Sequence, residues 1–372
     1  MKLCSNKKET IDMNGKYKAL WLNEDENLEV LDQRVLPFEE KTVVVSNAKE
    51  CANAIKDMTV RGAGVIGNCA AIGVYLASRE VDGDIEKLFP LAKLIRESRP
   101  TAVNLMWAVD RMLKVAKSSK KDEMTKRLKD EAIAICDEDC HRSQQIANYG
   151  ADIIEEICKK NKKDKINILT HCNAGWLAII DDGTALAPIY EAKRRGIDIH
   201  VWVDETRPRN QGANLTAWEL EKAKISHTVI ADNTGGHLMQ HNLVDLCITG
   251  ADRVTRCGDS ANKIGTYLKA LAAYDNNIPF YIALPASTFD FEIVDGIKDI
   301  PIETRSEDEV KYIRGVDENG KLSQLQIVPT TSSAINYGFD VTPARLITAL
   351  ITERGVCKPN IKSIEKMFKD LI

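Results

Sequence analysis

The stretch INILTHCNAGW, Ile166–Trp176, decides how this chain is read. A short apolar run through Leu169 stops at the pair His171-Cys172, and the small residues Asn173, Ala174 and Gly175 follow. The pattern predicts a buried strand that ends at Cys172, on a turn that other backbone or a ligand can approach closely. Downstream the same texture repeats. Short apolar runs (IDIHVWVDE, HTVIA, DLCITGAD, PFYIALPAS) alternate with the helical segments GTALAPIYEAKRRG, LTAWELEKAK, GGHLMQ and ANKIGTYLKALAAYD. Strands alternating with helices across short turns imply a parallel sheet with helices on both faces, and such sheets bind ligands beyond the carboxyl ends of their strands.

Upstream the texture differs. LEVLDQRVLP and KTVVV read as strands, and SNAKECANAIKDM reads as a helix with Ser46 as its N-cap. GNCAAIGVYLAS is a small-residue apolar helix made for burial, and SRPTAVNLMWAVDRMLKVAKS starts a helix with Pro100 in its first turn. A long, mixed-charge helix from about Asp122 to Lys160 runs into the lysine-rich link KKNKKDK. The fold class is therefore α/β, with a mainly helical N-terminal domain and a short β-rich start over residues 1–160, and a parallel-sheet domain over residues 161–372.

Composition sets outer bounds. The 372 residues fit two domains, and 44% hydrophobic with 28% charged residues is the balance of a soluble protein. A net charge of −4 gives no electrostatic case for nucleic acid or membrane as partner. No apolar run approaches the ~20 residues of a membrane span, and MKLCSNKKETIDMNGK lacks the apolar centre of a signal peptide. A cytoplasmic location is expected, with the ten cysteines as free thiols. Cys136-Asp-Glu-Asp-Cys140-His141 is the one close spacing, and with no second ligand pair it reads as a helix face rather than a metal site.

Three strand ends carry chemistry: Cys172; the turn Thr206-Arg207-Pro208-Arg209-Asn210-Gln211-Gly212; and Asp252-Arg253 after CITG. In a parallel sheet they share one edge, which then presents a thiol, cation and amide donors for an anion, and a carboxyl group. The alternatives stay open: a buried structural thiol at Cys172 and a helix cap or ion pair at Asp252. Arg61-Gly62-Ala63-Gly64-Val65-Ile66-Gly67 is formally GxGxxG, but no strand leads into it and no acidic residue ends a second strand after it. It reads as a glycine-loosened helix N-terminus suited to a phosphate, with Arg61 as a fork donor, or else as close helix packing. Asn262-Lys263 are read as opening a helix after Asp252, where they could hold sugar hydroxyls or phosphate, or else decorate the surface. His171 could acidify its neighbour's thiol, although adjacent strand residues face opposite ways.

Taken together, RGAGVIG, SRPTAVNLMWAVDRM, LTHCNAGWLA, VDETRPRNQGANLTAWEL, DNTGGHLM, TGADRV, GDSANKIGTYLKALAA, IPFYIALPASTFD and DVTPARLITALITERG resemble, in order, the blocks of the methylthioribose-1-phosphate isomerase family. The resemblance runs from about Leu31 to Gly355. The wider family includes isomerases of ribose 1,5-bisphosphate and 5-deoxyribose 1-phosphate and the alpha, beta and delta regulatory subunits of translation initiation factor 2B. The resemblance implies a Rossmann-like second domain, a homodimer, and an aldose–ketose isomerase of methionine salvage that turns 5-methylthioribose 1-phosphate into 5-methylthioribulose 1-phosphate. It implies Cys172 and Asp252 as catalytic pair, and Arg61, Gly62, Ala63, Arg99, Gln211, Asn262 and Lys263 as holders of the sugar phosphate. Gly235, Gly236 and His237 would border the site. The chain departs from the commoner pattern after CNAG, where it has Trp176-Leu177-Ala178-Ile179-Ile180, and in its longer N-terminus.

A phosphate on C1 locks the sugar ring, so the ring must be opened by protonating its oxygen before hydrogen moves from C2 to C1. Asp252 is expected to be that acid, kept protonated by burial. Cys172 is expected to take and return the C2 proton through an enolate, or, with a hydride shift, to manage only the hydroxyl proton. Neither route needs a metal or an organic cofactor. Trp176, lining the pocket, would suit an apolar C5 end, whereas a second phosphate would need a further basic cluster, for which Arg207 and Arg209 are the candidates. A binding-only regulatory subunit is the rival from another class.

Overall fold

The computed structural model describes residues 18–99 and 103–372, so the expected first-turn role of Pro100 lies outside the described residues. The chain divides into two compact units: residues 1–143 with 175–183, and residues 144–174 with 184–372. The expected boundary at 160/161 coincides with a helix end, whereas the units part inside that helix. The segment after Gly175 returns to the first unit because its backbone is bonded there.

In the first unit, β1 (Leu20–Leu22), β2 (Leu28–Leu31) and β3 (Thr42–Val45) form an antiparallel sheet. Helix α1 (Ala48–Lys56) is capped by Asn47, one residue after the expected Ser46. The Asn47 side chain accepts from the Glu50 N–H, and Ser46 instead donates to the Glu50 carboxylate through its own N–H and hydroxyl. Helix α2 (Ala63–Glu80) is buried almost all round, as its run of small and apolar residues requires, and packs on α3 (Ile85–Arg96) and α4 (Val103–Lys117). Helix α5 spans Lys121–Asn161. The formal GxGxxG is a packing device here. Gly62 has φ +92°, and a Cβ on it would lie 2.4 Å from Ala178 Cα. The Val65 N–H donates to the Ala178 carbonyl, and Gln33 Nε2 donates to the Leu177 carbonyl.

The second unit is built on a seven-stranded sheet. Its strands are β4 (Lys165–Thr170), β5 (Asp198–Asp204), β6 (Ser226–Ile230), β7 (Leu246–Thr249), β10 (Phe280–Ala283), β15 (Ala349–Thr352) and β16 (Gly355–Cys357). Their order is β16-β15-β10-β7-β4-β5-β6, parallel throughout except for the edge strand β16. All five expected strands are there, and β15 and β16 are additions. The central strands are buried on both faces, which explains their continuous apolar runs. Helices α6 (Ala187–Arg194), α7 (Ala217–Lys222), α8 (Thr234–Gln240) and α9 (Thr266–Asp275) fall in the connections.

A second sheet joins β8 (Arg253–Thr255), β9 (Ser260–Lys263), β11 (Phe289–Asp290) and β14 (Phe339–Thr342) in the order β11-β8-β9-β14, and β12 (Tyr312–Val316) pairs with β13 (Leu322–Gln326) as a hairpin. This corrects one expectation. Asn262 and Lys263 end a strand, and α9 starts only after Gly265, whose φ of +103° turns the chain into the helix.

Candidate active site

Cys172 lies two residues past the end of β4, with φ +66°. The left-handed region is costly for a residue with a Cβ, and such outliers persist only where their surroundings hold them. Thr206, two residues past β5, has φ +67°, and Asn210 has φ +57°. A β-branched residue there is a stronger outlier still. The hydrogen bonds show what holds the thiol loop. The Cys172 N–H donates to Thr206 Oγ1 at 2.9 Å, Thr206 Oγ1 donates to the Asp204 carbonyl at 3.0 Å, and Thr216 Oγ1 donates to the Cys172 carbonyl at 2.6 Å. Asn173 Nδ2 bonds Thr216 Oγ1 and Glu219 Oε1, and Tyr190 holds the other Glu219 oxygen. Thr216 reaches Cys172 from a π-helical turn, Gly212–Thr216, and a Cβ on Gly212 would meet the Asp204 carbonyl oxygen at 1.7 Å. Cys172 itself is 9% exposed.

His171 turns the other way, as strand alternation requires. Its Nδ1 is 2.9 Å from Asp204 Oδ2 and its Nε2 is 2.9 Å from the Ile264 carbonyl oxygen. Donor atoms of His171, Asp204 and Asp232 lie within 4.8 Å of one another, a spacing open to a metal ion. The donor set does not favour one: Lys269 Nζ already stands 3.1 Å from Asp204 Oδ2, and the Asp232 oxygens accept the Thr206 and Arg207 N–H groups. Cys136, Cys140 and His141 lie on α5, the helix expected for them.

Asp252 follows β7, the parallel neighbour of β4, with Leu169 paired to Cys247. A Cβ on Gly250 would lie 2.8 Å from Ala174 Cβ, so the loop leaving β7 runs against the loop that carries Cys172. The Asp252 N–H donates to the Ala261 carbonyl at 2.9 Å, and continuing the β8–β9 register sets Asp252 opposite Asn262. The expectation of burial fails: Asp252 is exposed, because it stands at the rim where β7 gives way to β8.

The other sequence candidates fall as follows. Asn262 is buried, with Nδ2 donating to Thr266 Oγ1. Lys263 Nζ donates to the Gly338 carbonyl and lies 4.6 Å from the Phe339 ring centroid. Gln211 and its neighbour Asn210 are buried, and among the described residues Gln211 Oε1 and Asn210 Oδ1 have no hydrogen-bond partner. Buried polar atoms left unpaired are rare, and here they suit a ligand hydroxyl. Thr206 and Asn210 carried no sequence signal beyond their place in a strand-end turn, and Thr216 none beyond its place in the helical segment LTAWELEKAK. Gly235, in the first turn of α8, lies close over Leu169, while the His237 ring is 4.2 Å from that of His241 just past the helix, tilted by 44°. Arg61, Gly62, Ala63 and Arg99 belong to the first unit, at the start of α2 and just after α3. Trp176, also of that unit, is 1% exposed.

Arg207 and Arg209 are engaged within the protein. Arg207 donates to the Pro208 and Val310 carbonyls, and Arg209 Nη1 donates to Glu309 at 2.9 Å. Arg305 grips the same carboxylate. Burial alone would push the Glu309 carboxyl up, but the two guanidiniums outweigh it and hold the group at about 2.

The family model of the initiation factor 2 subunit family matches residues 52–359. The chain belongs to the initiation factor 2 subunit family. Within this family it is 63% identical to a methylthioribose-1-phosphate isomerase of Sulfurimonas denitrificans, over 96% of this chain and 100% of that one. A second protein of that name, from Paramagnetospirillum magneticum, is 52% identical over 95% of this chain and 98% of its own. The crystal structure of 5-methylthioribose 1-phosphate isomerase from Pyrococcus horikoshii superposes with a TM-score of 0.83 at 35% identity, covering 100% of both chains. That of a translation initiation factor eIF-2B delta subunit from A. fulgidus superposes with 0.82 at 37%, over 95% of this chain and 99% of its own. The family fold thus does not separate enzyme from factor subunit, and the identities of 63% and 52% to proteins named as isomerases do. Among the described residues no helix is long and apolar enough to cross a membrane.

Proposed function

We propose that this chain isomerises 5-methylthioribose 1-phosphate to 5-methylthioribulose 1-phosphate, the aldose–ketose step of methionine salvage. The observation that carries the reading is the match, end to end, to isomerases of that name. The second unit's run of parallel strands, with the polar groups gathered past their carboxyl ends, supports a Rossmann-like catalytic domain.

The reaction needs a proton delivered to the ring oxygen as the C1–O bond breaks. Asp252 supplies it; its exposure means that the burial favouring the neutral carboxyl comes with the substrate that covers it. Hydrogen must then pass from C2 to C1 while the 2-hydroxyl loses its proton to become the ketone. In the enolate route the deprotonated Cys172 sulfur takes the C2 hydrogen as a proton and returns it to C1, while the 2-hydroxyl proton passes to the Asp252 carboxylate left by ring opening; if hydride shifts directly, Cys172 accepts only the hydroxyl proton. The strained, multiply bonded loop fixes that sulfur in advance, which is what positioned acid–base catalysis demands. Gln211 and Asn262 meet sugar hydroxyls, and Lys263 meets phosphate. Arg207 and Arg209, engaged with the Val310 carbonyl and Glu309, do not discriminate between the sugar phosphates. A homodimer is part of this reading, to be checked by sedimentation.

The test is turnover of 5-methylthioribose 1-phosphate, 5-deoxyribose 1-phosphate and ribose 1,5-bisphosphate side by side. Fastest conversion of the methylthio sugar supports the proposal. Conversion of the bisphosphate alone, or tight binding of any of the three without turnover, sinks it.

A further inference from the structure

We propose that His171 is a positioning residue, a doubly protonated ring that ties the strand bearing Cys172 to the turn bearing Asn262 and Lys263. Both ring nitrogens face acceptors: Nδ1 meets Asp204 Oδ2 and Nε2 meets the Ile264 carbonyl, each at 2.9 Å. A neutral imidazole has one N–H and would set a lone pair against one of these oxygens. Facing an ionised Asp204, only the imidazolium satisfies both. The ring and the Asp204 carboxyl are fully buried, and Lys269 Nζ approaches the same Asp204 oxygen at 3.1 Å. A buried carboxylate between two cations forms a compact charged clamp.

Two further carboxylates face the clamp. Asp232 Oδ1 stands 4.0 Å from Nδ1, and Asp340 accepts the Gly265 and Tyr267 N–H groups from the far side of the turn. The turn is thus gripped on its carbonyl by His171 and on its amides by Asp340. The fit is close: a Cβ on Gly265 would come within 3.1 Å of the imidazole Cε1. Asn262 and Lys263 immediately precede Ile264, so the clamp sets their distance from the Cys172 strand end. The clamp is read from this chain's own contacts; only its effect on the sugar phosphate rests on the isomerase reading.

The test uses the full chain with His171→Phe, which has no donor, and His171→Gln, which keeps an N–H donor. In the wild type, nitrogen-15 NMR at neutral pH should find hydrogen on both ring nitrogens. In His171→Phe, amide exchange at Ile264–Tyr267 should speed up at least tenfold while β4 and β5 stay protected. The KM for 5-methylthioribose 1-phosphate should rise at least tenfold, with a smaller fall in kcat, and His171→Gln should lie between. A neutral ring in the wild type, or unchanged exchange and KM in His171→Phe, would overturn the proposal. Uniformly faster exchange across the whole sheet would overturn it too, as a fold-wide role. Should His171→Phe not fold, the ring's protonation and the His171→Gln exchange pattern decide. Should no sugar phosphate turn over, the exchange and NMR results still judge the clamp, separately from the isomerase reading.

Discussion

The two strand ends that carry Cys172 and Asp252 are neighbours in one sheet and opposites in environment. Cys172 is buried, in a backbone conformation that its surroundings must enforce, with N–H, carbonyl and both flanking side chains tied down. Asp252 is exposed, and its backbone N–H donates to the Ala261 carbonyl. On the proposed roles, the protein preorganises one group, and the other waits for substrate to desolvate it. The contrast suits their tasks. A group that takes a carbon-bound proton gains most from fixed placement, while a ring-oxygen acid must become neutral only when the ring is bound.

That contrast can be broken or sharpened by substitution. The largest effect is expected at the open side: Asp252→Asn should lower kcat by about 10²–10⁴-fold, the usual worth of a positioned acid, while calorimetry shows substrate affinity largely kept. Next comes acid. Glu309 ties down the turn that carries Thr206, and its carboxyl is held at about 2 against an ordinary 4.5. A depressed folded pKa means stability that is present above the unfolded value and lost as pH falls through the folded one. Between about pH 5 and pH 2 the loss should be of order 3 kcal/mol, visible as a falling urea midpoint whose slope flattens in Glu309→Gln. Smaller is Thr206→Val, which keeps shape but leaves the Cys172 N–H without its acceptor. It should cost about 1–3 kcal/mol of unfolding free energy and slow kcat, with the KM little changed. If Thr206→Val left kcat intact, enforced placement of the thiol would not matter and the contrast would lose its meaning.

Much of this was legible in the sequence. Ile166–Thr170, Asp198–Asp204 and Leu246–Thr249 announce buried parallel strands by unbroken apolar runs that end in small or polar turn residues, and the position of Cys172 follows from that. Ser260–Lys263 was not legible, because SANK has no apolar pattern; its strand state comes from pairing with residues 253–254 and 339–342. Nor was the return of residues 175–183 to the first unit, which depends on backbone bonds from Ala178 and Leu177 to partners more than a hundred positions away. Thr206 looks like an ordinary strand-end threonine, and only the folded backbone shows its left-handed φ. The exposure of Asp252 was missed for a related reason: a residue type and a motif say what a carboxyl can do, while its solvent contact depends on which strand begins beside it.

The central claim is tested most directly by Cys172→Ser, measured for binding and turnover of 5-methylthioribose 1-phosphate on the same preparation. The account predicts affinity within a few-fold of wild type and turnover reduced by about 10³-fold or more, since a serine hydroxyl in the same fixed place is a far poorer proton carrier than a thiol. Turnover close to wild type would contradict it and return Cys172 to the status of a buried structural thiol.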